Sequence, residues 1–380
     1  MKKILKKLIA VAAHYLRLWY LVFGCYRLLT GKYLLVVFMY HRIVDSAKTK
    51  GYYTSYERGL DVAVFERHLR CIKRHFTVVS LAEFIDFVTG RKKLTRHAAL
   101  ITFDDADSEY AKYAFPLVKK HQLDAVVFAP TAYVGTDELL WPIKVSNIIR
   151  NATKDHWKTI QQKADRLPEN IRRLVLHADI ERVECRPALG LAINLGFDEV
   201  DHQTIDKTIE LWNDIVKPRD SLPIRCMTWE DLRLLEENRN AVESHTVTHR
   251  KLTRLTAAEI QEELITSKKQ LETKLQKTVK SLCYPQGWYN DTVCEVAHNC
   301  GYHVGFTTRQ AICTYPIKGR DLFKIPRLSV DGESLSEIQF FLGRIAAQDL
   351  FQRRPKEHAG SSTAADKSVG KNHRLGNKVH

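Results

Sequence analysis

The 380-residue chain lacks several patterns that would fix its class at once. None of its eight cysteines forms a C-x-x-C pair, so a zinc ribbon or a thioredoxin-like motif has no support. Eight scattered cysteines do not resemble a disulfide scaffold either, and we expect free thiols in a reducing compartment. No internal repeat is present. Hydrophobic residues at 44% and charged residues at 27% are ordinary for a globular protein with a substantial core.

Acidic residues are missing from the start of the chain, where basic residues are plentiful. No Asp or Glu precedes Asp45, whereas residues 1–32 carry seven basic side chains: Lys2, Lys3, Lys6, Lys7, Arg17, Arg27 and Lys32. The tail from Arg353 onward also carries more basic than acidic residues, so most of the net charge of +15 sits at the two ends. A nucleic-acid enzyme more often spreads a basic stripe over its folded surface. The charge therefore predicts a membrane surface as partner and no nucleic acid.

A long uninterrupted apolar run is also missing. Residues 4–29 are rich in apolar side chains, but His14 and Arg17 interrupt them, and a charge near the middle of a spanning helix is costly. An amphipathic anchor within residues 1–33 that lies in the membrane interface is favoured. An uncleaved spanning anchor, a secretory signal and a core helix stay open as alternatives. The pattern predicts a membrane-associated protein, with the cytoplasmic face favoured.

Short β-branched or aromatic runs alternate with amphipathic stretches of helical period. This alternation predicts an α/β fold, with a parallel sheet or barrel covered by helices. Helix starts are predicted at the capping pairs Ser80/Glu83, Thr256/Glu259 and Ser334/Glu337, and at Asn290. Predicted strands are Leu34–Met39, Thr77–Val79, Ala99–Phe103, Ala125–Ala129, Ala241–Glu243, Ser281–Tyr284, His303–Thr307 and Phe323–Pro326.

Two segments break the alternation. Residues from about 136 to 223 are helical in composition and contain no clear strand, which predicts a helical insertion beside the sheet or barrel. Residues 352–380 are polar, basic and rich in Gly, Ser and Lys, which predicts a disordered tail.

Two short motifs bear on chemistry. Asp104 and Asp105 follow an apolar strand, where α/β folds place their sites, although a solvated turn with a capping aspartate would look the same. His245 and His249 are four residues apart and can bind one metal ion, although two structural histidines share that spacing. Together they supply two imidazoles and one carboxylate for a metal with an open position, plus a second carboxylate as base.

With these motifs in place, the chain resembles the polysaccharide deacetylases of the NodB homology type, carbohydrate esterase family four. The match runs over about 34–345, and the early Met-Tyr-His-Arg at 39–42 is similar to a permuted subset that includes poly-N-acetylglucosamine deacetylases. Further matching motifs are Thr-Phe-Asp-Asp at 102–105, Pro116, Val-Val-Phe at 126–128, Met-Thr-Trp-Glu at 227–230, Ser-His-Thr-Val-Thr-His at 244–249, Tyr-Pro-Gln-Gly at 284–287 and Pro-Arg at 326–327.

The resemblance implies a distorted (β/α)7 barrel with its site at the carboxyl ends of the strands. It assigns the metal ligands to Asp105, His245 and His249, and the base to Asp104. The implied cofactor is a divalent metal ion, with Zn²⁺ favoured and Co²⁺, Ni²⁺ or Mn²⁺ also fitting.

The remaining site residues are implied in the same way. Arg327 would orient or ionise Asp104, and the backbone N–H of Gln286 would hold the oxyanion. His41 would be the general acid, by likeness to the permuted subset, unless it forms a structural tyrosine–histidine pair. The substrate would contact residues of the same motifs: Tyr284, Pro285 and Trp229.

The implied function is removal of the N-acetyl group from an amino sugar in a polysaccharide, an oligosaccharide or a lipid-linked glycan. Deformylation of a lipid-linked amino sugar is an alternative with the same chemistry. Ala106, Cys283 and Glu243 depart from the residues usual in the family, and the late Leu-x-His element that usually supplies the acid is absent. These departures motivate a second alternative, a weakened homologue that binds carbohydrate. A scaffold role carried by the basic ends is the third.

Overall fold

The computed structural model of the chain describes residues 18–48, 59–218, 224–313, 315–330 and 343. Its ten strands, in chain order, are β1 Leu35–Tyr40, β2 Ile43–Val44, β3 Leu60–Asp61, β4 Thr77–Val78, β5 Ala98–Phe103, β6 Ala125–Ala129, β7 Asn240–Ser244, β8 Ser281–Cys283, β9 Val304–Phe306 and β10 Leu328–Ser329. The α-helices are α1 Leu18–Thr30, α2 Val62–His75, α3 Leu81–Val88, α4 Phe115–Lys120, α5 Trp141–Asn151, α6 Lys154–Gln162, α7 Glu169–His177, α8 Arg186–Gly196, α9 His202–Val216, α10 Trp229–Glu236, α11 Ala257–Leu275 and α12 Asp291–Asn299.

The main sheet is built from parallel strands. Its order is β10-β1-β5-β6-β7-β8-β9, with β4 pairing beside β5, while β2 and β3 form a separate parallel pair. Strands β1, β5 and β6 are buried along their whole length. Both faces of a parallel sheet are covered by other segments of the protein. Its strands therefore appear in the sequence as unbroken apolar runs.

The segment 325–329 joins the two ends of this sheet. Ile325 forms a parallel bridge with Phe306 of β9, and Leu328 pairs with Phe38 of β1. Seven parallel strands therefore curl into a distorted barrel, and the predicted fold class is confirmed.

Helix caps in the barrel follow the sequence signals. Ser80 and Glu83 form the capping box of α3, Thr256 and Glu259 form that of α11, and Asn290 caps α12. Each cap satisfies backbone N–H groups that have no partner within the first turn. The local sequence thus sets where these helices begin.

The segment between β6 and β7 is helical, as the sequence predicted. Helices α5 to α9 enclose an apolar core of their own, which includes Trp157, Phe197 and Trp212 and is separate from the two clusters that line the faces of the barrel sheet.

One predicted strand is wrong. Residues Gly319–Phe323 form a 3-10 helix, only Ile325 bridges β9, and the strand itself comes later, at Leu328–Ser329.

The predicted helix start at Ser334 and the predicted tail at 352–380 lie outside the described residues. So do residues 1–17 of the predicted anchor. Among the described helices, none is both long enough and apolar enough to cross a bilayer.

Candidate active site

Four of the predicted site residues directly follow strands of the main sheet, at the edge where the carboxyl ends of these parallel strands lie. Asp104 and Asp105 come after β5, His41 after β1 and His245 after β7. Asp105 and Ala106 both take positive φ, at 69° and 48°. This left-handed turn ends the alternation of the strand, so two adjacent carboxylates can serve one site.

Asp104 and Arg327 form a bidentate ion pair inside the protein. Asp104 is 4% exposed and Arg327 is not exposed at all, so the pair is shielded from water. The guanidinium also donates to the carbonyl oxygen of Thr307, at 2.9 Å, and to the sulfur of Cys283, at 3.0 Å. These contacts fix the plane of the guanidinium and, with it, the orientation of the Asp104 carboxylate.

Burial alone would raise the pKa of Asp104. The charge of Arg327 and its hydrogen bonds outweigh burial, and the net effect lowers the pKa of this carboxyl below its usual value. Asp104 is therefore ionised at neutral pH and able to accept a proton.

Asp105, His245 and His249 converge on one point. The Oδ1 atom of Asp105 lies 3.4 Å from Nε2 of His245 and 3.2 Å from Nε2 of His249, and all three side chains are buried. One ligand atom from each lies within 4.8 Å of the others. The donor set of two imidazoles and one carboxylate suits a catalytic divalent ion such as Zn²⁺. The residues present therefore fit the metal that the resemblance implies.

The orientation of His245 is set by a partner behind it. Its Nδ1 lies 2.8 Å from the carbonyl oxygen of Cys283, to which the ring N–H donates. This bond leaves the lone pair on Nε2, the atom that faces Asp105. The imidazole is thus held in the tautomer that a metal ligand needs.

The loop that carries His249 is held by Glu263, a residue that the sequence analysis missed. The Glu263 carboxylate accepts from the backbone N–H groups of Val247 and Thr248, at 2.8 and 2.9 Å, and from the Thr248 hydroxyl. Thr246 and His249 both have positive φ, so the loop needs such support. Glu263 lies on the buried face of α11, and a charged residue among apolar helix positions was the available signal.

The insertion contacts the residues that follow His249. His202 of α9 accepts the backbone N–H of Lys251 through Nε2, at 2.6 Å, and the buried ammonium of Lys251 pairs with Asp198. Arg250 pairs with Asp206 at 2.9 Å. We call these three contacts the insertion clamp. They hold the backbone next to a candidate metal ligand.

His41 faces Asp104 from the end of β1. Its Nε2 lies 3.8 Å from Oδ2 of Asp104, and its side chain is 31% exposed, so it is open to solvent on one side. The neighbouring Tyr40 hydroxyl lies instead 3.4 Å from Nδ1 of His68. Tyr40 therefore pairs with a histidine other than His41.

The Tyr-Pro-Gln-Gly motif forms a tight turn after β8. Gln286 has a φ of 56°, and its carbonyl accepts from the Thr308 hydroxyl at 3.4 Å. Pro285 is buried within this turn. The Tyr284 side chain is fully buried, and its hydroxyl donates to the carbonyl of Phe323 at 3.0 Å. Tyr284 thus packs the core, and its contact with a substrate stays a prediction.

Trp229, another predicted substrate contact, also packs against other side chains. It begins α10, packs partly buried against the barrel core and lies 6.0 Å from the ammonium of Lys274. Lys274 belongs to the end of α11, which leads down to the amino end of β8. These contacts hold Trp229 against the barrel, and its contact with a substrate stays a prediction.

Two of the departures from the family pattern, Glu243 and Ala106, make defined contacts within the fold. Glu243 is buried, receives the ammonium of Lys277 at 2.9 Å, and accepts from the backbone N–H groups of Lys280 and Ser281. It fastens β7 to β8. Ala106 takes the left-handed conformation itself, and its carbonyl accepts from Met227 at 2.7 Å.

A pocket opens beside the candidate metal ligands. It is lined by residues of three origins, namely the ends of β1 and β5, the insertion and the segment before α10: His41, Arg42, Asp105, Asp107, Glu138, Leu140, Ile143, Ile224, Arg225 and Cys226. Arg42 and Asp107, both buried, form an ion pair at 2.9 Å across its wall. The insertion thus supplies part of the wall next to Asp105.

Known proteins with similar sequences and folds agree with the resemblance. Residues 201–305 match the family model described as polysaccharide deacetylase. Over 82 residues, 22% of this chain, the sequence is 32% identical to the putative polysaccharide deacetylase YxkH of Bacillus subtilis. The match spans 29% of the length of that relative.

Two solved structures share the fold. A polysaccharide deacetylase from Bacillus cereus aligns with a TM-score of 0.51 at 15% identity, covering 81% of this chain and 69% of that one. IcaB from Ammonifex degensii aligns with a TM-score of 0.51 at 16% identity, covering 82% and 97%. At such low identity the likeness establishes the fold alone. Together with the family match, it confirms the resemblance of this chain to the polysaccharide deacetylases of the NodB homology type.

Proposed function

We propose that the chain is a metal-dependent hydrolase that removes the N-acetyl group from an acetylated amino sugar in a glycan. The observation that supports this function is that a candidate metal site and a buried carboxylate with its counter-ion lie at the same edge of the barrel. Asp105, His245 and His249 offer three ligand atoms within 4.8 Å of one another, and His41 reaches to 3.8 Å from the buried Asp104–Arg327 pair. One part fits a metal ion and the other supplies an ionised base.

Asp105, His245 and His249 would hold the ion. When bound, a divalent ion lowers the pKa of a water molecule and polarises an amide carbonyl. Zn²⁺ suits the donor set, and Co²⁺, Ni²⁺ or Mn²⁺ fit it as well.

Side chains and one backbone N–H group of this chain would carry out the remaining steps. Asp104 accepts a proton from the attacking water, and Arg327 keeps the Asp104 carboxylate ionised and fixes its orientation. The backbone N–H of Gln286 donates to the oxygen of the former carbonyl. His41, which reaches the same space from β1 and is open to solvent, donates a proton to the departing amine.

The test is acetate release from N-acetylglucosamine oligomers by the purified full-length chain, with its metal content measured in parallel. Asp104→Asn should lower the rate by about 10²- to 10⁴-fold, and His41→Gln by at least about tenfold. Both variants should retain bound metal, and thermal unfolding checks that they fold. Stripping the metal from the parent should abolish release, and adding Zn²⁺ back should restore it.

Three outcomes would overturn the proposal. Undiminished acetate release by Asp104→Asn would remove the base from the mechanism. Release of formate alone, from a lipid-linked formylated amino sugar, would make the chain a deformylase. Tight glycan binding without turnover, across several divalent ions, would make it a binding homologue.

A further inference from the structure

Helix α1 has two faces of opposite character. Phe23 and Tyr26 are 5% and 2% exposed and belong to the barrel core. Leu21, Leu28 and Leu29 are 65%, 84% and 71% exposed. Positions seven and eight residues apart share one face of a helix, so the three leucines form a single stripe opposite the buried face. We call it the α1 stripe.

The α1 stripe stands out among the apolar side chains of the described surface. The other large exposed ones, Leu176, Val183, Leu191, Leu195 and Leu234, lie between 38% and 50%. Single exposed leucines are normal, whereas three leucines at 65% to 84% exposure on one helix face indicate an interaction site.

Charge identifies the kind of partner. Seven Lys or Arg residues precede position 33, and the first acidic residue is Asp45. Arg27, beside the leucines on α1, is exposed as well. A second copy of the chain would bring the same positive charge to the interface and would be repelled. An anionic lipid surface offers an apolar layer for the leucines and negative headgroups for the basic residues.

We propose that the α1 stripe, together with the basic residues of the N-terminal sequence, docks in the plane of an anionic bilayer surface. Thirteen residues of α1 suffice for a helix that lies in the interface, where its apolar face enters the boundary between headgroups and acyl chains. The buried Phe23 and Tyr26 tie this helix to the enzyme body, so the barrel moves with it.

The packing of α1 places the docking surface at the pole opposite the candidate site. Phe23 contacts Phe76 at 5.9 Å and His97 at 5.4 Å between ring centroids, and these two residues immediately precede β4 and β5. Both therefore lie at the amino ends of parallel strands, whereas Asp104 lies at the carboxyl end of β5. The six residues of β5 separate the two edges by about 20 Å.

This orientation restricts the class of glycan that can reach the site. The restriction rests on the proposed function. With the α1 stripe on the bilayer, the site opens away from the lipid. An acetylated sugar bonded directly to a membrane lipid would lie on the wrong side of the barrel. The geometry instead favours a glycan of several sugars, free in solution or extending from the surface by more than the height of the barrel.

The docking surface is tested with the full-length chain and two kinds of vesicle, phosphatidylcholine alone and phosphatidylcholine mixed with phosphatidylglycerol. The parent should sediment with the mixed vesicles and remain in solution with the neutral ones. Combined Leu21→Ser, Leu28→Ser and Leu29→Ser should weaken vesicle binding by at least about tenfold. The matched control, Leu176→Ser, Leu191→Ser and Leu195→Ser, removes three leucines from the insertion surface and should bind like the parent.

Either of two results would overturn the proposal: a parent that does not bind anionic vesicles, or a stripe variant that binds them as tightly as the parent. A parent that is dimeric and a stripe variant that is monomeric, in light scattering, would assign the stripe to a second copy instead. Acetate release from soluble oligomers without vesicles reports the proposed function separately, so loss of one property leaves the other measurable. Faster turnover of a lipid-linked monosaccharide than of an oligosaccharide on vesicles would refute the orientation.

Discussion

The Nη1 and Nη2 atoms of Arg327 each lie 2.7 Å from one oxygen of the Asp104 carboxylate, and both residues are buried. Because Asp104 must be ionised to accept a proton, activity falls as the pH drops through its pKa, which Arg327 keeps below its usual value near 3.8. Arg327→Met removes the charge and hydrogen bonds that oppose burial most strongly and leaves only the smaller effects of His245 and His41, so the pKa of Asp104 should rise. We expect the acid limb of the pH–rate profile to move to higher pH.

Arg327→Lys is the control for this shift. It keeps a positive charge but loses the bidentate geometry, so its acid limb should move less than that of Arg327→Met. Both variants should also unfold more easily, and Arg327→Met by about 3–5 kcal/mol, because Asp104 loses its buried partner. An acid limb that stays in place in Arg327→Met would show that Asp104 is not the base.

Glu263 should matter for metal binding although it lies outside the ligand set. Glu263→Gln removes the negative charge that receives two backbone N–H groups and a hydroxyl of the His249 loop. We expect a loss of about 1.5–3 kcal/mol in the free energy of unfolding and a roughly tenfold weaker metal affinity. The neighbouring Glu262 is exposed and bonds only Thr266 among the described contacts, so Glu262→Gln should change neither value. Equal effects of the two variants in metal titration would contradict this role.

The insertion clamp predicts that metal affinity depends on a segment outside the barrel. His202→Ala removes the acceptor for the Lys251 backbone N–H, two residues after His249. We expect metal binding, measured by calorimetric titration, to weaken by about tenfold. Glu181→Gln breaks an exposed ion pair with Lys154 elsewhere in the insertion and serves as the control. A His202→Ala protein that melts earlier but binds metal like the parent would show that the clamp supports folding alone.

Glu243 should prove structural, despite standing next to Ser244 and His245. Glu243→Gln leaves the largely buried Lys277 with less compensating charge, which we expect to cost about 3–5 kcal/mol in the free energy of unfolding. Acetate release per folded molecule should stay within a few-fold of the parent. A large fall in turnover without a change in stability would mean that this departure from the family pattern bears on catalysis.

The sequence predicted the parts of the site that follow local rules. Asp104 and Asp105 stand at the end of an apolar run, and His245 and His249 have the spacing of paired ligands, so composition and position sufficed to select them. The role given to Arg327 came from the family resemblance, and the structure brings its guanidinium to Asp104. What each residue does in catalysis stays a prediction until the variants are measured.

The sequence could not predict contacts between distant segments. Glu263 reaches the His249 loop across 15 to 16 positions, and His202 reaches Lys251 across 49. No local pattern encodes either contact. The hydroxyl of Tyr284, a predicted substrate contact, donates to the carbonyl of Phe323, 39 positions away, and no local pattern encodes that bond. The last strand was misplaced because Phe323 still belongs to the 3-10 helix, Ile325 forms only a bridge to β9, and pairing with β1 begins at Leu328.

The closing segment 325–329 is translated long after the other residues of the candidate site. Asp104 and Arg327 are 223 positions apart, so a growing polypeptide on the ribosome contains the carboxylate and all three candidate ligands long before the guanidinium is translated. Until that last stretch emerges and bridges the edges of the sheet, the base has no counter-ion and the barrel is open. On the proposed function, a chain that ends before residue 327 lacks the guanidinium that keeps Asp104 ionised, so we expect it to release acetate more slowly than the 380-residue chain.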